Sequence, residues 1–239
     1  MIEVEGLTVR FGGVTPIDDM TVTFPGGTCG LIGPNGAGKT TFFNVLSGFV
    51  KPAAGSIRAF GEELFKMADF HRARWGLRRS FQTEQAIRSL SVFDNVAMVH
   101  EHSGQTRSSR RQDVLDALTF VGLDVSPKQK AGVLGVRDRR LLEVARATVG
   151  KPRVVLLDEP AAGLPAEETV HMGEVIAKIP ERFGGALVIL VDHDMSLVSA
   201  CCETTAVLDF GKLIASGPTA EVLRNEHVIR AYLGTEEEL

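Results

Sequence analysis

Gly33-Pro34-Asn35-Gly36-Ala37-Gly38-Lys39-Thr40 fits the spacing G-x-x-x-x-G-K-[ST]. It follows a short apolar run, Cys29-Gly30-Leu31-Ile32, and opens a helical stretch from Lys39 to Leu46 that Ser47-Gly48 closes. The chemistry this spacing serves is the capture of a nucleotide's phosphates. Glycines let consecutive backbone N–H groups turn toward phosphate oxygens, and the helix N-terminus adds its dipole. Lys39 then reaches the β- and γ-phosphates, and the Thr40 hydroxyl ligates Mg²⁺. A second stretch completes the pattern: Val154-Val155-Leu156-Leu157 is an apolar strand that delivers Asp158 at its C-terminal end, facing the metal through its shell. Glu159 follows at once and is placed to polarise an attacking water as general base. His193 stands between Asp192 and Asp194, just past the apolar run ending at Val191. It reads as a γ-phosphate sensor, because imidazole can donate one hydrogen bond and accept another. His100-Glu101-His102 reads as an exposed helix end.

These residues need a scaffold, and the chain has the material for one. Of its 239 residues 44% are hydrophobic and 23% charged, which excludes a disordered or low-complexity chain. Alternation in Ile2-Glu3-Val4-Glu5 and Thr21-Val22-Thr23-Phe24, broken by Gly12-Gly13 and Pro25-Gly26-Gly27, predicts an N-terminal antiparallel β-layer. Ser56 to Phe60 adds a strand. Residues 93–149 carry helical periodicity, with Val114, Leu115, Leu118 and Val121 on one face and Leu141, Leu142, Val144 and Ala145 on another. Continuous apolar runs at 154–157 and 187–191 predict parallel strands covered on both faces. Ala206-Val207-Leu208 and Leu213-Ile214-Ala215 predict a closing hairpin, two short helices follow, and Glu236-Glu237-Glu238 ends the chain as a fraying tail. The expectation is one α/β domain over 1–239. Its ATP-binding core spans 1–92 and 150–239, and a helical lobe is inserted at 93–149.

The longest apolar run, the six residues Ala186 to Val191, is too short to span a bilayer, and the N-terminus lacks a secretory pattern. Three cysteines without a CxxC spacing suggest buried free thiols. A net charge of −4 argues against a generic nucleic-acid coat. Between His71 and Arg111, however, eight arginines face three acids, a stretch that suits an anionic or carbonyl-rich partner and reads as a docking zone.

Taken together, the phosphate loop, the Leu157-Asp158-Glu159-Pro160 box and His193 resemble the ATP-binding subunit of an ABC transporter over essentially the whole chain. The resemblance implies a P-loop NTPase fold of RecA-like type. Gln82 matches the family's glutamine that contacts Mg²⁺ and reports to the membrane subunit, and Phe11 matches the aromatic that stacks on adenine. Thr41 continues the nucleotide-contacting loop. Among subfamilies, Thr41-Phe42-Phe43-Asn44, Asp158-Glu159-Pro160-Ala161-Ala162-Gly163-Leu164 and Ala231-Tyr232-Leu233-Gly234 look most like the LivG type of branched-chain amino acid importers. Two departures stand out. The family signature Leu-Ser-Gly-Gly-Gln falls at Leu134-Gly135-Val136-Arg137-Asp138, where only the leucine survives, and Pro165 replaces a frequent aspartate.

What the resemblance implies is an ATPase using ATP and Mg²⁺ at the cytoplasmic face of the membrane. It would be held there by transmembrane permease subunits and served indirectly by a solute-binding protein. The degraded signature implies a heterodimer with a second ATP-binding subunit, although Arg137 could supply charge to a partner's site in trans. A soluble ABC-type ATPase and an ATP-dependent regulatory module are the competing classes. The first usually carries two ATPase halves or a coiled-coil insert, and the second has no need of Glu159.

Overall fold

The computed structural model describes residues 1–233, so the acidic run Glu236–Glu238 and Gly234 lie outside the described residues. The chain opens with a long hairpin, β1 (Ile2–Phe11) and β2 (Val14–Phe24), in which Phe11 pairs with Val14 at the tip. Then come β3 (Thr28–Ile32), α1 (Lys39–Ser47), β4 (Ala54–Ala59), β5 (Glu62–Glu63), α2 (Asp69–Trp75) and β6 (Leu77–Arg79). Three helices occupy the middle of the chain, α3 (Val92–Glu101), α4 (Arg110–Phe120) and α5 (Val136–Thr148). The remainder alternates as β7 (Val154–Asp158), α6 (Ala166–Arg182), β8 (Leu187–Val191) and α7 (Met195–Cys201). It ends in the hairpin β9 (Thr204–Asp209) and β10 (Lys212–Pro218), α8 (Thr219–Val222) and α9 (Glu226–Leu233).

Two sheets result. The N-terminal layer is antiparallel, in the order β2-β1-β4-β5, and the central sheet runs β10-β9-β3-β8-β7-β6. All the central pairings are parallel except that of the edge strand β10. Strand periodicity explains how one sheet serves two cores. Val155, Leu157, Val188 and Leu190 point into a cluster with the helices α3 to α7, whereas Val154, Leu156, Leu187 and Ile189 point into a cluster with α1 and the antiparallel layer. Covered on both faces, β7 and β8 are buried at every position, which is why they read as unbroken apolar runs.

The fold corrects two sequence expectations. Strand β6 is only three residues long, two of them arginines, too short for periodicity to reveal, and parallel pairing with β7 is what makes it a strand. It belongs to the Arg-rich stretch, and three of those arginines are buried rather than offered as a charged docking surface: Arg72 and Arg78 are each 5% exposed, and the Arg79 side chain 6%. Arg72 donates to the carbonyls of Val45 and Leu46 at 2.7 and 2.9 Å, satisfying the C-terminal end of α1. His100 is likewise not an exposed helix end. Its side chain is 1% exposed and its Nε2 lies 2.7 Å from Asp113 on α4, while Glu101 and His102 do remain at the surface.

Candidate active site

The loop between β3 and α1 lies at the C-terminal edge of the parallel strands, where open α/β sheets bind ligands. Gly36 and Gly38 adopt φ of 80° and 109°, conformations that side-chain-bearing residues rarely hold. A side chain at Gly38 would strike the Pro16 carbonyl of β2, so glycine is required for the loop to pass beneath the hairpin. At Gly36 a side chain would meet only open space, so the positive φ alone calls for glycine there. Lys39 turns back over the loop and donates to the carbonyls of Gly33 and Pro34 at 2.5 and 2.8 Å. Burial pulls its pKa down, while Glu159 and Asp158 push it up.

Asp158 ends β7 and is 4% exposed. Its backbone N–H donates to the Ser80 hydroxyl at 3.0 Å, and Arg79 Nη2 reaches its carboxylate at 3.4 Å. Burial raises the Asp158 pKa, and the Arg79 guanidinium works against that rise. Arg79 in turn donates to Asn44 Oδ1 at 2.7 Å and sits over the rings of Phe43 and Phe81, at 5.4 and 4.8 Å from their centroids. Glu159 holds a left-handed backbone with φ 49°, fixed by its N–H donating to Val191 of β8 at 2.8 Å. That turn aims the side chain back across the sheet edge, where its Oε2 accepts from Gln82 Nε2 at 3.2 Å.

A cavity of about 210 Å³ is therefore bounded by Asn35 to Thr41 on one side and by Gln82, Asp158 and Glu159 on the other. Turned backbone amides, one ammonium and an exposed threonine hydroxyl beside carboxylates form the donor set that a triphosphate and a hard divalent cation require, so the residues fit ATP and Mg²⁺. Other expected residues lie apart. The His193 side chain is 73% exposed, with Nδ1 3.7 Å from Asp192, and does not line the cavity. Phe11 is 52% exposed at the hairpin tip, free to stack on a planar ligand. Leu134 to Asp138 lie at the start of α5, also outside the cavity: Leu134 is buried, Gly135 caps the helix, and Arg137 contacts Asp138 at 3.4 Å. Asp194 accepts from the N–H groups of Ser196 and Leu197, capping α7.

Sequence patterning misses Arg79, Ser80 and Tyr232. The phenol of Tyr232 on α9 meets the Gly33 backbone at the root of the phosphate loop, and burial pushes its pKa up to about 12. The first two were hidden in a stretch read only for its charge, and the third lies some two hundred residues from the loop it touches.

Comparisons with known proteins agree with this geometry. The ABC transporter family model matches residues 17–162, and a second model, "Branched-chain amino acid ATP-binding cassette transporter", matches 212–238. The chain is 37% identical to the high-affinity branched-chain amino acid transport ATP-binding protein LivG of Escherichia coli (strain K12), covering 98% of each. It is 35% identical to BraF of Pseudomonas aeruginosa, a protein with the same description, again over 98% of each. Among solved structures it resembles an ATP-binding cassette of an ABC transporter in its ADP conformation, with a TM-score of 0.87 and 23% identity over 98% of both chains. A dimeric cassette in a post-hydrolysis state with ADP and Pi superposes with a TM-score of 0.80 at 20% identity, covering 92% of this chain and 99% of that one. The chain belongs to the ABC transporter family, as one of its ATP-hydrolysing cassettes.

Proposed function

We propose that this chain binds and hydrolyses ATP to energise a membrane importer whose cargo is a branched-chain amino acid. The observation that carries the reading is the single cavity in which Lys39, Thr40, Gln82, Asp158 and Glu159 meet. Full-length likeness to LivG and BraF, together with the match at 212–238, supports the cargo. Lys39 exchanges its loop carbonyls for phosphate oxygens, and the amides of residues 36–41 surround them. Glu159, oriented by Gln82 and by its strained backbone, accepts the proton of the attacking water. His193 is exposed enough to swing toward the γ-phosphate, and Phe11 stacks on the base. Thr40, Gln82 and Asp158 would hold Mg²⁺, which when bound neutralises charge on the phosphates.

Among the described residues no helix is long and apolar enough to cross a membrane, so transmembrane permease subunits must provide the path. Peripheral attachment at the cytoplasmic face follows. A groove of about 350 Å³ beside Phe49, Phe70 and Phe81 suits a cytoplasmic segment of the permease, Phe49 and Phe70 being 62% and 57% exposed. The second ATP-binding subunit is a different chain, because this one presents Gly135 where a hydroxyl is needed and Val136 and Arg137 where glycines are needed. A solute-binding protein acts through the permease. The test is reconstitution in vesicles of the complex that copurifies with this chain. ATP-driven leucine uptake that Glu159→Gln abolishes is the expected result. A complex devoid of membrane protein, or one indifferent to branched-chain amino acids, would overturn the reading.

A further inference from the structure

Helix α5 carries Arg139, Glu143 and Arg146 at the spacing i, i+4, i+7, which sets them in one stripe. The stripe faces the segment that follows Gln82. Arg139 Nε donates to Glu84 Oε1 at 3.0 Å, and the Glu143 carboxylate accepts from the Gln85 N–H at 3.0 Å. The Ala86 backbone also bonds Glu143, and Arg146 Nη1 donates to it at 2.8 Å. Glu143 is 6% exposed. Burial raises its pKa, yet it stands beside a guanidinium and two backbone donors that favour the charged form. A buried carboxylate spent on the backbone of a loop fixes that loop's height far more firmly than apolar packing, which is non-directional.

The two ends of this contact reach different places. At one end, Gln82 precedes the clamped residues by two positions and donates to Glu159 at 3.2 Å. At the other, Arg139 also donates to the Leu134 carbonyl at 2.5 Å, tying the stripe to the start of α5. Glu143, Arg146 and Gln85 additionally line the groove beside Phe49 and Phe81. The path thus runs from Glu159 by a hydrogen bond to Gln82, along the backbone of residues 82–86, and by further hydrogen bonds to α5 and the groove.

We propose that Glu143, braced by Arg146 and assisted by Arg139, is a positioning residue: it holds the 83–86 segment so that Gln82 and Glu159 stay in register, and it passes movement of α5 or of a groove occupant to the hydrolytic pair. This rests on the reading of Glu159 as general base and Gln82 as its partner. The residue touches neither nucleotide nor water, so its loss acts on turnover and spares ATP binding.

The experiment compares Glu143→Ala, Glu143→Gln, Gln82→Ala and the Glu143→Ala/Gln82→Ala double variant in the full-length chain, alone and in its complex. Glu143→Ala should lower kcat about tenfold with KM for ATP within about twofold, and the Gln85 and Ala86 amides should exchange at least about tenfold faster. Glu143→Gln keeps an acceptor oxygen and should restore most of the turnover. In the double variant the losses should be less than multiplicative, because both act through one contact. If Glu143→Ala fails to fold, Arg139→Met, at the more exposed end of the stripe, should give a smaller loss of the same kind. Accelerated exchange with unchanged kcat, a loss in KM instead, or fully multiplicative losses would each overturn the proposal. A Gln82→Ala variant with wild-type turnover would remove the reading on which the proposal rests, and the proposal with it.

Discussion

Lys39 has two competing sets of acceptors, the loop carbonyls it bonds in this structure and the phosphates it is proposed to bind. Exchanging a neutral carbonyl for a phosphate oxygen yields a charge-assisted bond, the stronger kind. Lys39→Ala should therefore weaken ATP binding by about 1.5–3 kcal/mol, tenfold or more in Kd by calorimetry. Unchanged affinity would sink the assignment. Tyr232 offers an independent probe of the same loop, since it is the only tyrosine in the chain. Its phenol is raised from an ordinary 10.0 to about 12 by burial. The folded chain keeps the proton between those values while the unfolded chain loses it, so stability should fall as pH climbs through that window. Phenolate absorbance should appear near pH 12 in the folded chain and near pH 10 after denaturation. An ordinary value in the folded chain would show that α9 does not seal the root of the loop.

Several helices here end on side chains supplied from elsewhere in the chain or from just outside the helix. Arg72 of α2 closes α1, and Asp194 opens α7 immediately after His193. Asp194→Ala removes the acceptor of two orphan amides and should cost about 1 kcal/mol, a fall in Tm of about 2–4 °C for a chain of this size. The Ser196 hydroxyl, chiefly, holds the Asp194 carboxyl below its ordinary 3.8. The stabilisation is thus present above that value and lost as the pH falls through the lowered one. The Tm gap between wild type and variant should narrow below pH 3.8 and stay constant near neutrality. A gap that did not vary with pH would assign the cost to packing instead.

As a whole, the molecule keeps Lys39, Gln82, Asp158 and Glu159 together in one cavity and carries Gly135, Val136 and Arg137 outside it, at the start of α5. The proposed heterodimer should accordingly be asymmetric. Glu159→Gln in this chain should remove nearly all ATPase activity of the complex, by at least about a hundredfold, whereas the corresponding change in the partner should spare most of it. Equal losses from either side, or a fully active homodimer, would refute the asymmetry. Contiguous spacing and periodicity reveal local features: the phosphate loop with its helix, the apolar strands β7 and β8, Asp158 at the end of β7 and Glu159 just after it. Contacts between segments far apart in the chain emerge only on folding. Arg79 meets Asp158 across seventy-nine positions and Gln82 meets Glu159 across seventy-seven. His100 is buried because α4 brings Asp113 to it, and β6 is a strand because β7 lies beside it. Periodicity reports which face of an element is apolar, but a polar residue's fate depends on which partner the fold brings within hydrogen-bond reach, and no local pattern records that distance.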